Sequence, residues 1–241
     1  MSRKVIEDPR GLAAWATDPI TRALARLTVL VTEAPWTMSA DELTQARAAG
    51  LGDGAILQAI ALAAMFGHLN RIADAIGIEL DYDVALEPSH AEPATRLYPI
   101  PAQAEWPDPD GTGPLELASR PQAREALAAW RNHALDREAP LPRGARAVIA
   151  REVAALLGDA ATVRALDNAG SVGPLDEPLR EFAAVVTLAP WRLGDATLVP
   201  LRAAGLADDT SLFDAIATAT ACTTFSRLAT ALAALRRQPP V

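Results

Sequence analysis

Apolar positions along this chain fall in long Ala- and Leu-rich runs, broken at intervals by Pro, Gly and capping residues into helix-sized pieces. Two of these pieces resemble each other. Val31–Asp53 (VTEAPWTMSADELTQARAAGLGD) and Val186–Asp208 (VTLAPWRLGDATLVPLRAAGLAD) are identical at 12 of 23 aligned positions, including the tracts APW and RAAGL. After a one-residue shift the similarity continues from Ala59–Gly77 into Ala215–Ala233. Three shared tracts in the same order indicate a duplication.

Each copy carries the punctuation of three helices. The first helix, Ile20–Thr32 or Leu179–Thr187, stops before Pro35 or Pro190, because proline cannot continue it. The second opens at Ser39, with Glu42 three residues on completing a capping box, and closes at Gly50. In the other copy Asp195 is the expected cap and Gly205 the stop. Asp53 and Asp208 are the expected caps of the third and longest helices, Ala55–Ile76 and Ser211–Leu235. The third helix is apolar nearly all round for its first turns, as suits a helix buried on several sides. Both long helices are therefore expected at the centre, packed near each other in like environments.

Between the copies, Leu86–Pro114 is rich in proline and reads as an extended connector. Helices at Gln122–Asp136, Arg143–Leu157 and Ala160–Asn168 follow it. The first copy has no room for counterparts of the last two, so the duplication is partial. The expected organisation is an N-terminal half-repeat over 1–85, a connector over 86–115 and a fuller second unit over 116–241, all of it α-helical.

Composition narrows the function classes. Half of the residues are hydrophobic but only 5% aromatic, which favours closely packed Ala/Leu helices over sheet. A net charge of −8 argues against a surface for nucleic acid or anionic membrane. The strongly apolar stretch Ile56–Phe66 is shorter than a membrane span, and Met1–Pro9 is charged with no apolar signal core. Cytoplasmic location is the expectation. One cysteine, Cys222, excludes an intrachain disulfide, and His68, His90 and His133 show no metal-ligand spacing, so no metal or cofactor is expected. The run Trp106–Gly113 lacks the ordered acids of a calcium loop and reads as a surface turn.

Arg47–Asp81, with Phe66, Asn70, Arg71, Ala73 and Asp74 at its end, resembles the C-terminal half of AhpD-like proteins of the carboxymuconolactone decarboxylase family. Leu141–Leu235 resembles a whole unit of that family, so the resemblance implies an AhpD-like helical bundle over about two-thirds of the chain. Active members use a Glu, a C-x-x-C pair and a His as a proton and thiol relay. At the family's spacing those places fall on Ala147, Asp159, Thr162 and Leu166. Alanine and leucine carry no protons, and neither Asp nor Thr forms a disulfide.

Three residues remain as candidates for chemistry. Cys222 stands where the first copy has Phe66, a place for a small buried residue or an isolated reactive thiol. His68 could move a proton near neutral pH, although Thr224 replaces it in the second copy. Arg71 is matched by Arg227, and a guanidinium ending an apolar helix must find a carboxylate, backbone carbonyls or a bound anion. Since Thr230 replaces Asp74 in the second copy, the shared arginine is expected to reach beyond its own helix. Three functions follow: a protein of this family without the relay that binds or assembles, an acid–base enzyme using His68 and Arg71 on a small carboxylate or lactone, or a one-cysteine peroxidase. A homo-oligomer, dimer or higher, is the expected assembly, with a small carboxylate the candidate ligand.

Overall fold

A computed structural model of the chain describes residues 16–78, 121–168 and 170–236. The connector assigned to 86–115, with His90 and the Trp106–Gly113 run, lies outside these residues, as does Met1–Pro9. The described residues are all-helical, without a strand. They form α1 (Pro19–Glu33), α2 (Ala40–Ala48), α3 (Asp53–Ala75), α4 (Pro121–Leu135), α5 (Arg143–Leu156), α6 (Ala160–Ala165), α7 (Asp176–Leu188), α8 (Asp195–Ala203) and α9 (Asp209–Arg236).

The two similar segments share one element order: a helix, a 3-10 turn, a short helix and a long helix. Pro35 and Pro190 open the 3-10 turns, and the residues before them, Ala34 (φ −149, ψ 61) and Ala189 (φ −151, ψ 63), take the same conformation. Ser39 caps α2 by accepting from the Glu42 amide at 3.3 Å, and Asp208 accepts from the Ser211 amide at 2.8 Å. Gly50 (φ 104) and Gly205 (φ 115) end α2 and α8 in the left-handed region that a side chain resists.

Several local expectations need correction. The Glu42 carboxylate pairs with Arg26 instead of returning to Ser39, so the capping box is one-sided. Asp53 and Asp195 sit one residue inside their helices, with Gly52 and Gly194 at the cap positions. Asp53 instead accepts from Arg47 Nε at 2.7 Å. α6 ends at Ala165, short of the expected Asn168.

α9 is the central helix, and its widest contacts are with α3 and α5. It contributes Ala215, Ile216, Ala219 and Cys222 to one core, with Ile149, Val153, Leu179, Phe182 and Val186. Lower down, its Leu228, Ala231 and Leu232 enter a second core with Leu27, Leu30, Val31, Leu43, Ile56 and Ile60. The long helices thus lie side by side as expected, but not in like environments. α9 is buried on nearly every side, whereas α3 leaves Leu62, Met65, Phe66 and Leu69 exposed. The reason is that α4 and α5 pack on α9, and α3 has no such cover among the described residues. By length and composition alone α3 is also long and apolar enough to cross a membrane, which the shorter stretch Ile56–Phe66 did not suggest.

The cover is fastened by charge. Arg146 of α5 is fully buried and bonds the Asp214 carboxylate of α9, Thr218 Oγ1 at 2.9 Å, and the carbonyls of Ala134 at 3.1 Å and Leu141 at 2.9 Å. Asp214 also accepts from Arg137 Nη2 at 2.6 Å and the Leu141 amide at 3.1 Å. Burial alone would raise this carboxyl, but the bonds from Arg146 and Leu141 and the charges of Arg146 and Arg137 hold it below the ordinary carboxylate value. Such a carboxylate stabilises the fold above its unfolded-state value of about 3.9 and loses that contribution as pH falls through its lower folded-state value. Asp214→Asn should therefore lower stability by about 3–5 kcal/mol at neutral pH, since Arg146 is left buried without its counter-charge. Urea unfolding across pH checks both points: the variant should show a shallower loss of stability below pH ~4 than the parent.

Candidate functional site

The sequence candidates all lie on the long helices α3 and α9, but their side chains go to different places. Arg71 of α3 donates from Nε to the Thr187 carbonyl at 3.1 Å and from Nη1 to the Gly67 carbonyl at 3.0 Å. Arg227 of α9 donates from Nε at 3.2 Å and Nη2 at 3.1 Å to the Thr32 carbonyl, and from Nη1 to the Thr223 carbonyl at 3.4 Å. Thr32 and Thr187 are the same position of the two copies, each in the last turn of its helix. Each arginine therefore crosses to the other copy and binds the carbonyl end of a helix, where backbone acceptors lack partners and the dipole is negative. Burial lowers the pKa of both guanidiniums, Arg71 to about 10. The charge of Arg71 also lowers Arg227, and among the described residues Arg227 makes no ion pair.

A second crossing lies one turn away. Thr224 Oγ1 donates to the Ala64 carbonyl at 3.2 Å, and His68, its counterpart on α3, interacts with the backbone of Thr220, the counterpart of Ala64. The His68 ring meets Trp130 of α4 edge-on, with centroids 4.9 Å apart, and Trp130 meets Phe225 in the same way at 4.8 Å. Burial pushes the His68 imidazole below its ordinary value, opposed by the Thr220 backbone. Its Nδ1 is buried without a hydrogen-bond partner among the described residues. His68 and Arg71 share a helix, but the structure sends one side chain to Trp130 and Thr220 and the other to Thr187.

Cys222 is 3% exposed on the side of α9 that faces the first core. Burial pushes its thiol up to about 12, with the charges of Arg131 and Arg146 opposing and that of Asp159 adding. At neutral pH such a sulfur is a thiol, not a thiolate.

The places where the family resemblance puts a relay lie together around α5 and α6. Asp159 caps α6, accepting from the Thr162 amide at 3.1 Å and from Ser226 Oγ of α9 at 3.0 Å. Burial raises its pKa, against the bonds from Thr162 and Ser226 and the charge of Arg131. Ala147 and Leu166 line a cleft of about 270 Å³ with Arg151, Glu152, Asp167 and Arg180. Arg151 there pairs with Asp167 at 2.9 Å, and Arg180 with Glu177 at 3.2 Å. Among the described residues no group of His, Cys, Asp and Glu is placed to hold a metal ion.

Sequence reasoning missed the Asp159–Ser226 and Arg146–Asp214 contacts. Nothing in residue spacing signals them, because their partners lie 67 and 68 positions apart in the chain. No family model, curated protein or solved structure matches the chain.

If the arginines hold helix ends, removing either should destabilise. Arg71→Ala and Arg227→Ala should each cost about 1–3 kcal/mol for the carbonyls they leave unpaired. Arg227→Ala should be the more damaging, because Arg227 is buried and Arg71 only partly so. The double variant should lose more than the sum, since each single change also relieves repulsion between the two charges. Urea midpoints of the three variants test this, and unchanged midpoints would mean the carbonyls find water instead.

Proposed function

We propose that this protein is a non-catalytic helical module that acts by binding or assembly, built on an AhpD-like frame whose thiol relay has been lost. The observation that carries the reading is the state of its one sulfur. Cys222 is buried, its thiol is raised to about 12, and the chain holds no second cysteine to resolve an oxidised intermediate. The relay positions have taken up other work: Asp159 is a helix cap held by Ser226, and Ala147 and Leu166 are apolar lining of a cleft.

The acid–base alternative draws less support. It needs Arg71 free to bind a carboxylate and His68 free to move a proton, while the guanidinium is committed to the Thr187 and Gly67 carbonyls and the imidazole is packed on Trp130.

Hydroperoxide consumption with a dithiol reductant should not rise above the rate without protein, and Cys222→Ser should leave that rate unchanged. Cys222 should react with a thiol reagent only after denaturation. Peroxide turnover abolished by Cys222→Ser would overturn the reading and make Cys222 a nucleophile.

A further inference from the structure

We infer that the cleft between α5 and α7 binds a small zwitterion, a free α-amino acid with an aliphatic side chain. This rests on the reading of the chain as a binding module and names the class of its ligand. The cleft, about 270 Å³, falls just below the roughly 300–1,000 Å³ usual for drug-sized ligands, so it suits a smaller molecule. Among the described residues its lining comes from one stretch of chain, 147–180.

The walls are formed by contacts within the protein. Val148 and Glu152 lie one turn apart on α5, as do Ala147 and Arg151, and both pairs border the cleft. The opposite side is the start of α7 and the loop before it. Asp176 pins that loop by accepting from the Val172 amide at 2.9 Å and from the Ser171 hydroxyl, whose oxygen accepts from the Gly173 amide at 3.0 Å. Val172 seats the loop on α5 at Gly144, where a Cβ would come within 2.8 Å of its Cγ1. A ligand therefore meets a preformed rim, which favours binding of a small molecule.

Charge selects the ligand. Glu152 is half-buried, and among the described residues its carboxylate makes no hydrogen bond or ion pair. Such a group favours a cation with N–H donors. The two guanidiniums have donors to spare. Arg151 gives Nε and Nη2 to one oxygen of Asp167 at 3.1 and 2.9 Å, and Arg180 gives Nη1 to Glu177 at 3.2 Å. Nη1 of Arg151 and Nε and Nη2 of Arg180 keep no acceptor among the described residues, and they suit a carboxylate. Both ion pairs are exposed, and exposed pairs contribute little, so they yield readily to a ligand. Three acids, Glu152, Asp167 and Asp176, surround these two arginines, so the lining as a whole repels a bare anion. A molecule carrying both an ammonium and a carboxylate matches it. Ala147, Val148 and Leu166 offer apolar contact for an aliphatic side chain.

Isothermal titration calorimetry of the full-length chain with L-alanine, L-valine and L-leucine tests this. 4-Methylpentanoate and L-leucinamide serve as analogues that each lack one charge. At least one amino acid should bind with a Kd of about 1 mM or tighter. Glu152→Gln and Arg180→Gln should each weaken that binding at least about tenfold, and both analogues should bind at least about tenfold more weakly than L-leucine. Melting temperatures should stay at the parent's value, because Glu152 holds no partner among the described residues and Arg180 only an exposed one. Ala147→Leu should abolish binding by filling the cleft with every charge in place, which keeps the test open if a charge variant misfolds. No binding by any of the three amino acids at millimolar concentration, binding that survives either charge substitution, or an analogue that binds as tightly as L-leucine would each overturn the inference. The peroxide assay reads Cys222 and the titration reads the cleft, so an inactive protein that binds no amino acid sinks only this inference, while an active peroxidase sinks the proposed function.

Discussion

Two guanidiniums, that of Arg227 buried and that of Arg71 partly so, each bind the far end of the other copy's helix and hold the two halves of this fold in register. A helix end buried in a core must have its last carbonyls satisfied, and neither α1 nor α7 can run on past Pro35 or Pro190 to do so. Arginine suits the task because its fork gives several donors in one plane, as Arg227 shows by binding Thr32 twice and Thr223 once. The arrangement carries a cost, since the like charges lie close enough to lower the pKa of Arg227. The lack of a side chain at Gly67 leaves room for one of them: a Cβ there would come within 3.1 Å of Arg71 Nη1.

From that clamp follows the distribution of polarity. A helix with as many hydroxyls as α9 can be central only if they are satisfied, within the helix or by its neighbours, and most are. Thr220 Oγ1 returns to the Ile216 carbonyl at 2.9 Å, Thr223 Oγ1 to the Thr220 carbonyl at 2.7 Å, and Ser226 is taken by Asp159. Short side chains also let α5 and α3 approach α9 closely. α3 instead carries larger apolar side chains on its outer face.

The fold was legible in the sequence to the extent that local chemistry decides it. Pro35, Pro190, Gly50, Gly205, Ser39 and Asp208 mark their boundaries because turn and cap geometry depends on a few adjacent residues. Asp53 and Asp195 misled because a cap and a first-turn acid look alike in sequence, and the choice turned on neighbouring glycines and, for Asp53, on Arg47. The matched arginines gave the site its one readable clue, that they reach beyond their own helices. What they reach was not readable, because Thr187 lies 116 positions from Arg71 and Thr32 lies 195 from Arg227. Likewise the repeat suggested equal surroundings for α3 and α9. Which of two similar helices is covered depends on where α4 and α5 dock, and the buried Arg146–Asp214 pair decides that.

Asp159 shows what a buried acid at the start of a helix can do. The start of a helix offers free amides and a positive dipole end, which favour a thiolate and a carboxylate for the same reason. The Asp placed there accepts from the Thr162 amide and so caps α6. It offers no sulfur for oxidation, and the Ser226 hydroxyl binds its other oxygen. Cys222 is coupled by charge to Asp159, and the burial that makes α9 a good core helix is what holds that thiol protonated. Stability and thiol reactivity therefore pull in opposite directions at this helix, and the packing of α4 and α5 against α9 has settled the balance in favour of stability.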